Sequence, residues 1–261
     1  MPDITIDVNG PVTVLTIDRP HSRNAIGLGT MAELDAALED LGRSDASVAV
    51  ITGAGDRAFV AGGDLKELES VRDEEFGVEM ARRMRRTLDR IAELPIPVFA
   101  AVNGVALGGG AEVAVACDFR IASEEARIGF TQVLLGVMAA WGGLERLAGL
   151  VGRGRAAYLL SSGRILSAAE AERFGLFEEV VPQPQFESRW RGLAESIGQV
   201  PRPALAGIKA GLQAAQPGNH PQLEEAAVRH FARAWSDPRH WEMAAELERK
   251  RREAKAAAAQ G

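Results

Sequence analysis

Two glycine-rich loops are the segments of this chain whose composition and position could support chemistry. The first is AGGD at 61–64 and the second is GGGAE at 108–112, and each follows a run of apolar residues typical of a buried strand. Glycine exposes backbone N–H groups, and N–H groups at the start of a helix have no internal partner and attract negative charge. If the loops converge, they form a pair of donors for an oxyanion, although each could also be a simple tight turn.

The second loop ends in a carboxylate, Glu112, at the head of the run AEVAVAC. This run is apolar on every side, which predicts a buried helix. Glu112 is then either a partner of the helix dipole or a working acid/base whose pKa is raised by desolvation. A nucleotide site is not indicated, because Gly104 and Gly108 have the wrong spacing for GxGxxG and the P-loop pattern is absent.

The elements around these loops predict an α/β core. Strands alternate with helices over the first two thirds of the chain, and the remainder is mainly helical. Capping boxes at Thr30 with Glu33 and at Ser167 with Glu170 predict the starts of two helices, and Asp237-Pro238 predicts a third. The predicted strands are 4–8, 12–17, 48–52, 97–102, 118–122 and 176–181, with a long helix over 74–93.

Length and composition limit the classes of function. A chain of 261 residues with a net charge of −6 fits one large domain and gives no reason to expect nucleic acid as a partner. The lone Cys117 excludes an internal disulfide, and we expect neither a signal peptide nor a membrane span, so the predicted location is the cytoplasm. No metal site is expected, because the histidines lie in loops or on polar helix faces without ligand spacing: His21, His220, His230 and His240.

Three blocks resemble the signatures of the crotonase, or enoyl-CoA hydratase/isomerase, family. They are AFVAGGDLKEL (58–68), PVFAAVNGVALGGGAEVAVACDFRIAS (97–123) and RIGFTQVLLG with a later GG (127–143). The resemblance implies a crotonase-like spiral of repeated ββα units over 1–197, followed by a C-terminal helical trimerisation region over 198–261. It also implies a homotrimer or dimer of trimers, an acyl-CoA substrate, and no cofactor beyond the coenzyme A of that substrate.

The resemblance assigns roles to individual residues. The N–H groups of Gly63 and Gly109 correspond to the oxyanion hole, and Glu112 corresponds to the first of two glutamates that hold a water molecule in the hydratases. The positions implied for coenzyme A and its acyl group are Arg23, Ala25, Ala61, Gly62, Asp64, Leu65, Lys66, Ala140 and Trp141.

The chain departs from the hydratase pattern at the second glutamate, where it has Gln132. An amide can orient water by hydrogen bonding, but it takes no proton at neutral pH. The leading expectation is hydration and dehydration at 2-enoyl-CoA, with Glu112 as acid/base and Gln132 as positioner. Decarboxylation of a short alkylmalonyl-CoA, double-bond isomerisation and non-catalytic acyl-CoA binding are the alternatives.

Overall fold

A computed structural model describes residues 2–69, 72–214 and 221–258. Within them the strands are β1 (Ile4–Asn9), β2 (Val12–Ile17), β3 (Val48–Gly53), β4 (Ala58–Val60), β5 (Val98–Val102), β6 (Val105–Leu107), β7 (Phe119–Ser123), β8 (Arg127–Gly129), β9 (Ile165–Ser167) and β10 (Glu179–Val181). The helices are α1 (Leu28–Arg43), α2 (Leu65–Leu68), α3 (Glu74–Glu93), α4 (Gly109–Ala116), α5 (Gly143–Ser162), α6 (Ala168–Phe174), α7 (Gln183–Gly198), α8 (Arg202–Ala214), α9 (Pro221–Ser236) and α10 (Pro238–Ala258).

The strands form two sheets through a repeated ββα unit. The larger sheet has the order β1-β2-β3-β5-β7-β10, and the smaller has the order β4-β6-β8-β9. Three successive strand pairs follow one pattern: the first strand of each pair (β3, β5, β7) joins the larger sheet, and the second (β4, β6, β8) joins the smaller. Pairing is parallel except at the β1–β2 hairpin and between β8 and β9. The α/β spiral expected from the sequence is therefore confirmed.

The strands at the centre of the larger sheet are buried on both faces, which explains their continuous apolar sequences. Alternate residues of β3 face two different cores. Ala49 and Ile51 join the core formed with α1, α3 and α4, whereas Val48 and Val50 join the core covered by α7. Trp190 is the largest side chain that α7 places in this second core.

Two of the three predicted helix starts are confirmed. Ser167 and Glu170 form a reciprocal capping box at α6, and α10 begins at Pro238. The capping box predicted at Thr30 and Glu33 is wrong, because the N-cap of α1 is Gly27, three residues earlier. The hydroxyl of Thr30 accepts from the Gly27 N–H at 3.2 Å, while the Glu33 carboxylate accepts from backbone N–H groups of the first strand region.

The C-terminal helices pack back onto the core. Helix α9 packs along α3, and α10 packs against a 3₁₀ helix over Thr131–Leu135. On α8 the buried Lys209 Nζ donates to the carbonyls of Ile91 (2.6 Å) and Ile96 (2.9 Å) and pairs with Asp118 at 2.8 Å. The α10 contact attaches the C-terminal region to the 3₁₀ helix that carries Gln132, and the Lys209 contacts attach α8 to the end of α3 and to the starts of β5 and β7 in the larger sheet. Among the described residues, the helices are all too short or too polar to cross a bilayer.

Candidate active site

The converging loops line a cavity of about 220 Å³ together with residues of the smaller sheet, the 3₁₀ helix and the C-terminal helices. Its walls are mainly apolar, with side chains from Leu68, Met80 and Leu135. Eight of the residues predicted from the sequence line this cavity together: Ala61, Gly62, Gly63, Leu65, Gly109, Glu112, Gln132 and Trp141. The structure therefore brings both glycine loops and the carboxylate to one place.

Each loop presents one backbone N–H group that no described residue accepts. Gly63 forms a parallel bridge with Ile26, in which the Ile26 N–H donates to Gly62 and the Asp64 N–H donates to Ile26. This pairing turns the N–H of Gly63 itself toward the opposite edge. Gly109 is the first residue of α4, where a backbone N–H has no partner within the helix. Both donors belong to residues that line the cavity.

Packing at the second loop requires glycine. A Cβ atom at Gly109 would lie 2.1 Å from the ring of Trp141, and one at Gly110 would lie 2.0 Å from the carbonyl oxygen of Val60. The six-membered ring of Trp141 also lies 4.0 Å from the position that a Cβ of Gly63 would occupy. The indole therefore lies against both glycine loops and forms the wall between them.

Glu112 is 2 % exposed and is held on both oxygens. Its Oε1 accepts from the backbone N–H groups of Trp141 (2.8 Å) and Gly143 (2.9 Å), and its Oε2 accepts from Gln132 Nε2 at 2.8 Å. Burial raises the pKa of Glu112 from 4.5 to about 7, and the bonds from Gly143, Trp141 and Gln132 oppose this rise. Both oxygens are bound by groups outside α4. A carboxyl group with a pKa near 7 can act as a general acid/base at neutral pH.

Gln132 lies on the 3₁₀ helix and directs one end of its amide to Glu112. Because an ionised carboxylate only accepts, the amide nitrogen faces it and the amide oxygen faces away. This Oε1 is buried, and no described residue donates to it. Among the described residues that line the cavity, Glu112 is the one carboxylate. The site therefore pairs a carboxylate with an amide acceptor.

The other five predicted positions do not line the cavity. Arg23 and Lys66 are exposed next to it: the carbonyl of Arg23 accepts from the lining Ala61 at 3.1 Å, and Lys66 follows the lining Leu65. A ligand that extends beyond the cavity would pass these two side chains. Ala140 is buried in the core at 1 % exposure.

Ala25 and Asp64 both bind the side chain of Arg19, a residue that the sequence analysis did not single out. The Arg19 guanidinium donates to the carbonyl of Ala25 at 2.5 Å and pairs with Asp64 at 3.0 Å. It therefore ties the 19–25 segment to the start of α2. Its position two residues after a strand gave no signal of this role.

The C-terminal region also contributes side chains to the cavity. Phe231 and Trp235 of α9 and His240 of α10 line it. The expectation that His240 lies in a loop or on a polar helix face is wrong, since it is 2 % exposed inside a helix. His220 lies outside the described residues.

Comparisons with known proteins agree with this fold and site. The family model described as Enoyl-CoA hydratase/isomerase matches residues 7–251. A short-chain-enoyl-CoA hydratase of Clostridium acetobutylicum is 38% identical over 199 residues, covering 75% of each chain. A crotonyl-CoA hydratase of Syntrophomonas wolfei is 39% identical over 187 residues, covering 70% of each chain.

Solved structures give the same result. The crystal structure of an enoyl-CoA hydratase from Bacillus anthracis superposes with a TM-score of 0.80 at 34% identity, covering 89% of each chain. A second, from Mycobacterium avium subsp. paratuberculosis, has a TM-score of 0.86 at 28% identity, covering 94% of this chain and 98% of that one. The chain belongs to the enoyl-CoA hydratase/isomerase family.

Proposed function

We propose that this protein hydrates 2-enoyl-CoA thioesters and dehydrates the corresponding 3-hydroxyacyl-CoA. The observation that carries the proposal is the buried Glu112, with a pKa of about 7, in the same cavity as the N–H groups of Gly63 and Gly109. A carboxyl group with this pKa exchanges protons readily near neutral pH. Two free N–H groups stabilise the negative charge that develops on a thioester oxygen.

In the forward reaction Glu112 acts first as base and then as acid. It takes a proton from water while the water oxygen bonds to C3 of the enoyl group. The electron pair of the C2–C3 double bond moves to the thioester oxygen, where the N–H groups of Gly63 and Gly109 hold the enolate. The enolate then collapses and C2 takes the proton back from Glu112. Loss of one oxyanion donor costs about 3 kcal/mol of barrier in comparable sites.

Gln132 positions the water in this scheme. Its Nε2 holds Oε2 of Glu112, while its Oε1 is buried and, among the described residues, unpaired. We propose that a small shift of the amide lets Oε1 accept one hydrogen of a water whose other hydrogen points to the carboxylate. The water oxygen then keeps a lone pair for C3. Because the amide takes no proton, the same carboxyl group must complete both proton transfers.

A single carboxylate also suits double-bond isomerisation, which is our second candidate. Moving a double bond from C3 to C2 requires one group that removes a proton at C2 and returns it at C4, and Glu112 is the one carboxylate in the described lining. No water is consumed. The presence of an amide where water would be held favours hydration, since isomerisation has no use for that acceptor.

The test is a panel of 2-enoyl-, 3-enoyl-, 3-hydroxyacyl- and alkylmalonyl-CoA thioesters, incubated in ¹⁸O-labelled water and analysed by mass spectrometry. Hydration adds one labelled water to the 2-enoyl substrate, isomerisation leaves the mass of the 3-enoyl substrate unchanged, and decarboxylation removes carbon dioxide. Glu112→Gln serves as the inactive control. Tight binding of these thioesters without any turnover would contradict both proposals and favour a binding protein.

We propose further that the protein assembles as a homotrimer or a dimer of trimers through the region 198–261, and that it works in the cytoplasm with no cofactor besides the coenzyme A of its substrate. Helix α8 supports the assembly, because Ile208 and Leu212 are 60% and 67% exposed there. Exposed apolar side chains on one helix fit a subunit contact. Light scattering should give the mass of three or six chains, and Ile208→Asp should lower it.

A further inference from the structure

The backbone of residues 141–143 holds one oxygen of the catalytic carboxylate. The N–H groups of Trp141 and Gly143 lie 2.8 Å and 2.9 Å from Oε1 of Glu112. Gly142 between them has a φ of 96° and a ψ of 3°, a left-handed conformation that lets N–H groups of one short segment converge on an anion. The orientation of Glu112 therefore depends on whatever fixes this segment.

Arg146 on the first turn of α5 contacts the same segment twice. Its Nη1 donates to the carbonyl oxygen of Trp141 at 3.1 Å, and its backbone N–H donates to the carbonyl oxygen of Gly142 at 3.3 Å. A Cβ atom at Gly142 would overlap Nη1, so the guanidinium occupies the space that a side chain there would take. Arg146 thus binds the carbonyl groups of the segment whose N–H groups bind Glu112.

Arg146 is itself anchored on helix α3. Its Nη2 pairs with Asp89, and the preceding residue, Glu145, pairs with Arg85. Arg85 and Asp89 are four residues apart and so lie on one face of α3, where they offer opposite charges to the start of α5. The side chain of Arg146 is 17% exposed, which partly shields its pair with Asp89 from water.

The charge of Arg146 also acts on Glu112. Burial raises the pKa of Glu112 to about 7, and the positive charge of Arg146 is among the effects that oppose this rise. Other charged or titratable groups on the elements packed against α4 or in the cavity lining are Arg85 with Glu145, Arg120 with Glu178, His240 and Arg251. Burial lowers the pKa of His240, so its ring adds little charge at neutral pH.

We propose that Arg146 is a positioning residue of the active site. By fixing residues 141–143, it keeps Glu112 in the orientation from which protons are transferred. This inference rests on the proposed acid/base function of Glu112. A misplacement of about 1 Å at a catalytic group can cost about 10²-fold in rate. Because Arg146 does not line the cavity, its loss should lower kcat and leave KM nearly unchanged.

The first test is the hydration of a short 2-enoyl-CoA by Arg146→Gln across pH. We expect kcat to fall about ten- to a hundredfold, with KM changed less than about threefold. The rise of kcat with pH should move to higher pH, because Glu112 acts first as base and now faces Asp89 without the compensating cation. Arg90→Gln is the matched control, since it removes an arginine of α3 that pairs with Asp35 at 2.9 Å, and it should change neither quantity.

Two further variants distinguish positioning and charge from a merely structural role. Arg146→Lys keeps the charge, so it should keep the native pH midpoint and restore only part of kcat, because an ammonium group does not reproduce the planar guanidinium. Asp89→Asn removes the anion beside Arg146, so its pH midpoint should move to lower pH, opposite to Arg146→Gln. If the pair served the fold alone, neither midpoint would move, and that result would overturn the inference.

Readouts that need no hydration separate this inference from the proposed function. Exchange of the C2 hydrogens of a saturated acyl-CoA in deuterated water needs Glu112 as base but adds no water. Slower exchange in Arg146→Gln, with no hydration by the native protein, would support the inference while the hydratase function fails. If the native protein catalyses neither reaction, urea unfolding decides. The advantage of Glu112→Gln over its parent should grow to a higher pH when Arg146→Gln is present in both, and an identical pH course would overturn the inference. Where Arg146→Gln does not fold, the same comparison in Asp89→Asn should end at a lower pH, and an unmoved course there would overturn it.

Discussion

Replacing Glu112 by glutamine should abolish turnover while stabilising the folded protein at alkaline pH. A glutamine at this position has nearly the same size, and its amide oxygen can accept the N–H groups of Trp141 and Gly143 that Oε1 accepts now. Gln132 can turn its amide so that its oxygen accepts from the new amide nitrogen. Because a general acid/base contributes about 10²–10⁴-fold, kcat should fall by at least that factor.

The stability change follows from the pKa of Glu112. The folded state holds its proton up to about pH 7, whereas the unfolded chain releases it near 4.5. Between these values the folded state binds more protons, so the free energy of unfolding decreases as pH rises and levels off above about 7. At about 1.4 kcal/mol per pH unit, the full effect is about 3 kcal/mol, of which about 2 kcal/mol lies above pH 5.5.

Urea unfolding of the native protein and of Glu112→Gln measures this difference directly. The stability advantage of the variant should grow by about 2 kcal/mol between about pH 5.5 and pH 8, at a fixed protein concentration since subunit assembly also affects stability. The exposed Glu125 provides a matched control, and Glu125→Gln should show no such growth. An advantage of Glu112→Gln that stays constant with pH would refute the assigned ionisation, and near-native turnover would refute the catalytic role.

Other substitutions test the walls of the site. Gly109→Ala should lower kcat by about 10²-fold or more in steady-state kinetics. Its Cβ would lie 2.1 Å from the Trp141 ring and displace either the ring or the oxyanion N–H. Gly149→Ala is the control, because a Cβ there meets nothing within 4 Å. Trp141→Ala should cost about 3–5 kcal/mol in chemical unfolding and shift kcat/KM toward longer acyl chains. Gln132→Glu should raise hydration of crotonyl-CoA if the amide limits the rate, and should not assist decarboxylation, because a second anion repels a substrate carboxylate.

Elements formed by local pattern were predicted accurately from the sequence. Helix α3 spans the predicted residues 74–93, because its apolar stripe and its polar face recur at helical spacing. The buried strands follow from continuous apolar runs bounded by turn residues. The error at Thr30 and Glu33 arose because a capping box is a local pattern, whereas the Glu33 carboxylate binds the backbone of Asp3 and Ile4, about thirty residues away.

The candidate site was predicted as far as its residues lie within the family motifs. Glu112 and the glycine loops were identified, but the N–H groups of Trp141 and Gly143 that hold the carboxylate come from a segment about thirty residues away, and backbone donors have no sequence signature. His240 was missed because its burial depends on α10 folding back onto the 3₁₀ helix. A lone histidine between Arg239 and Trp241 gives no periodic signal of that contact.

The exchange of a second carboxylate for Gln132 changes how the site controls its protons. Two carboxylates in contact repel each other, and that repulsion raises one pKa. Here desolvation alone raises the pKa of Glu112 to about 7, while the Gln132 amide works against the rise and adds no charge. In the mechanism that we propose, every proton taken up leaves through the same carboxyl group, in hydration and in isomerisation alike. What separates the two reactions in that mechanism is whether a water molecule is held at Oε1 of Gln132, so the proposal makes the amide acceptor, and not a second titrating group, the determinant of the chemistry.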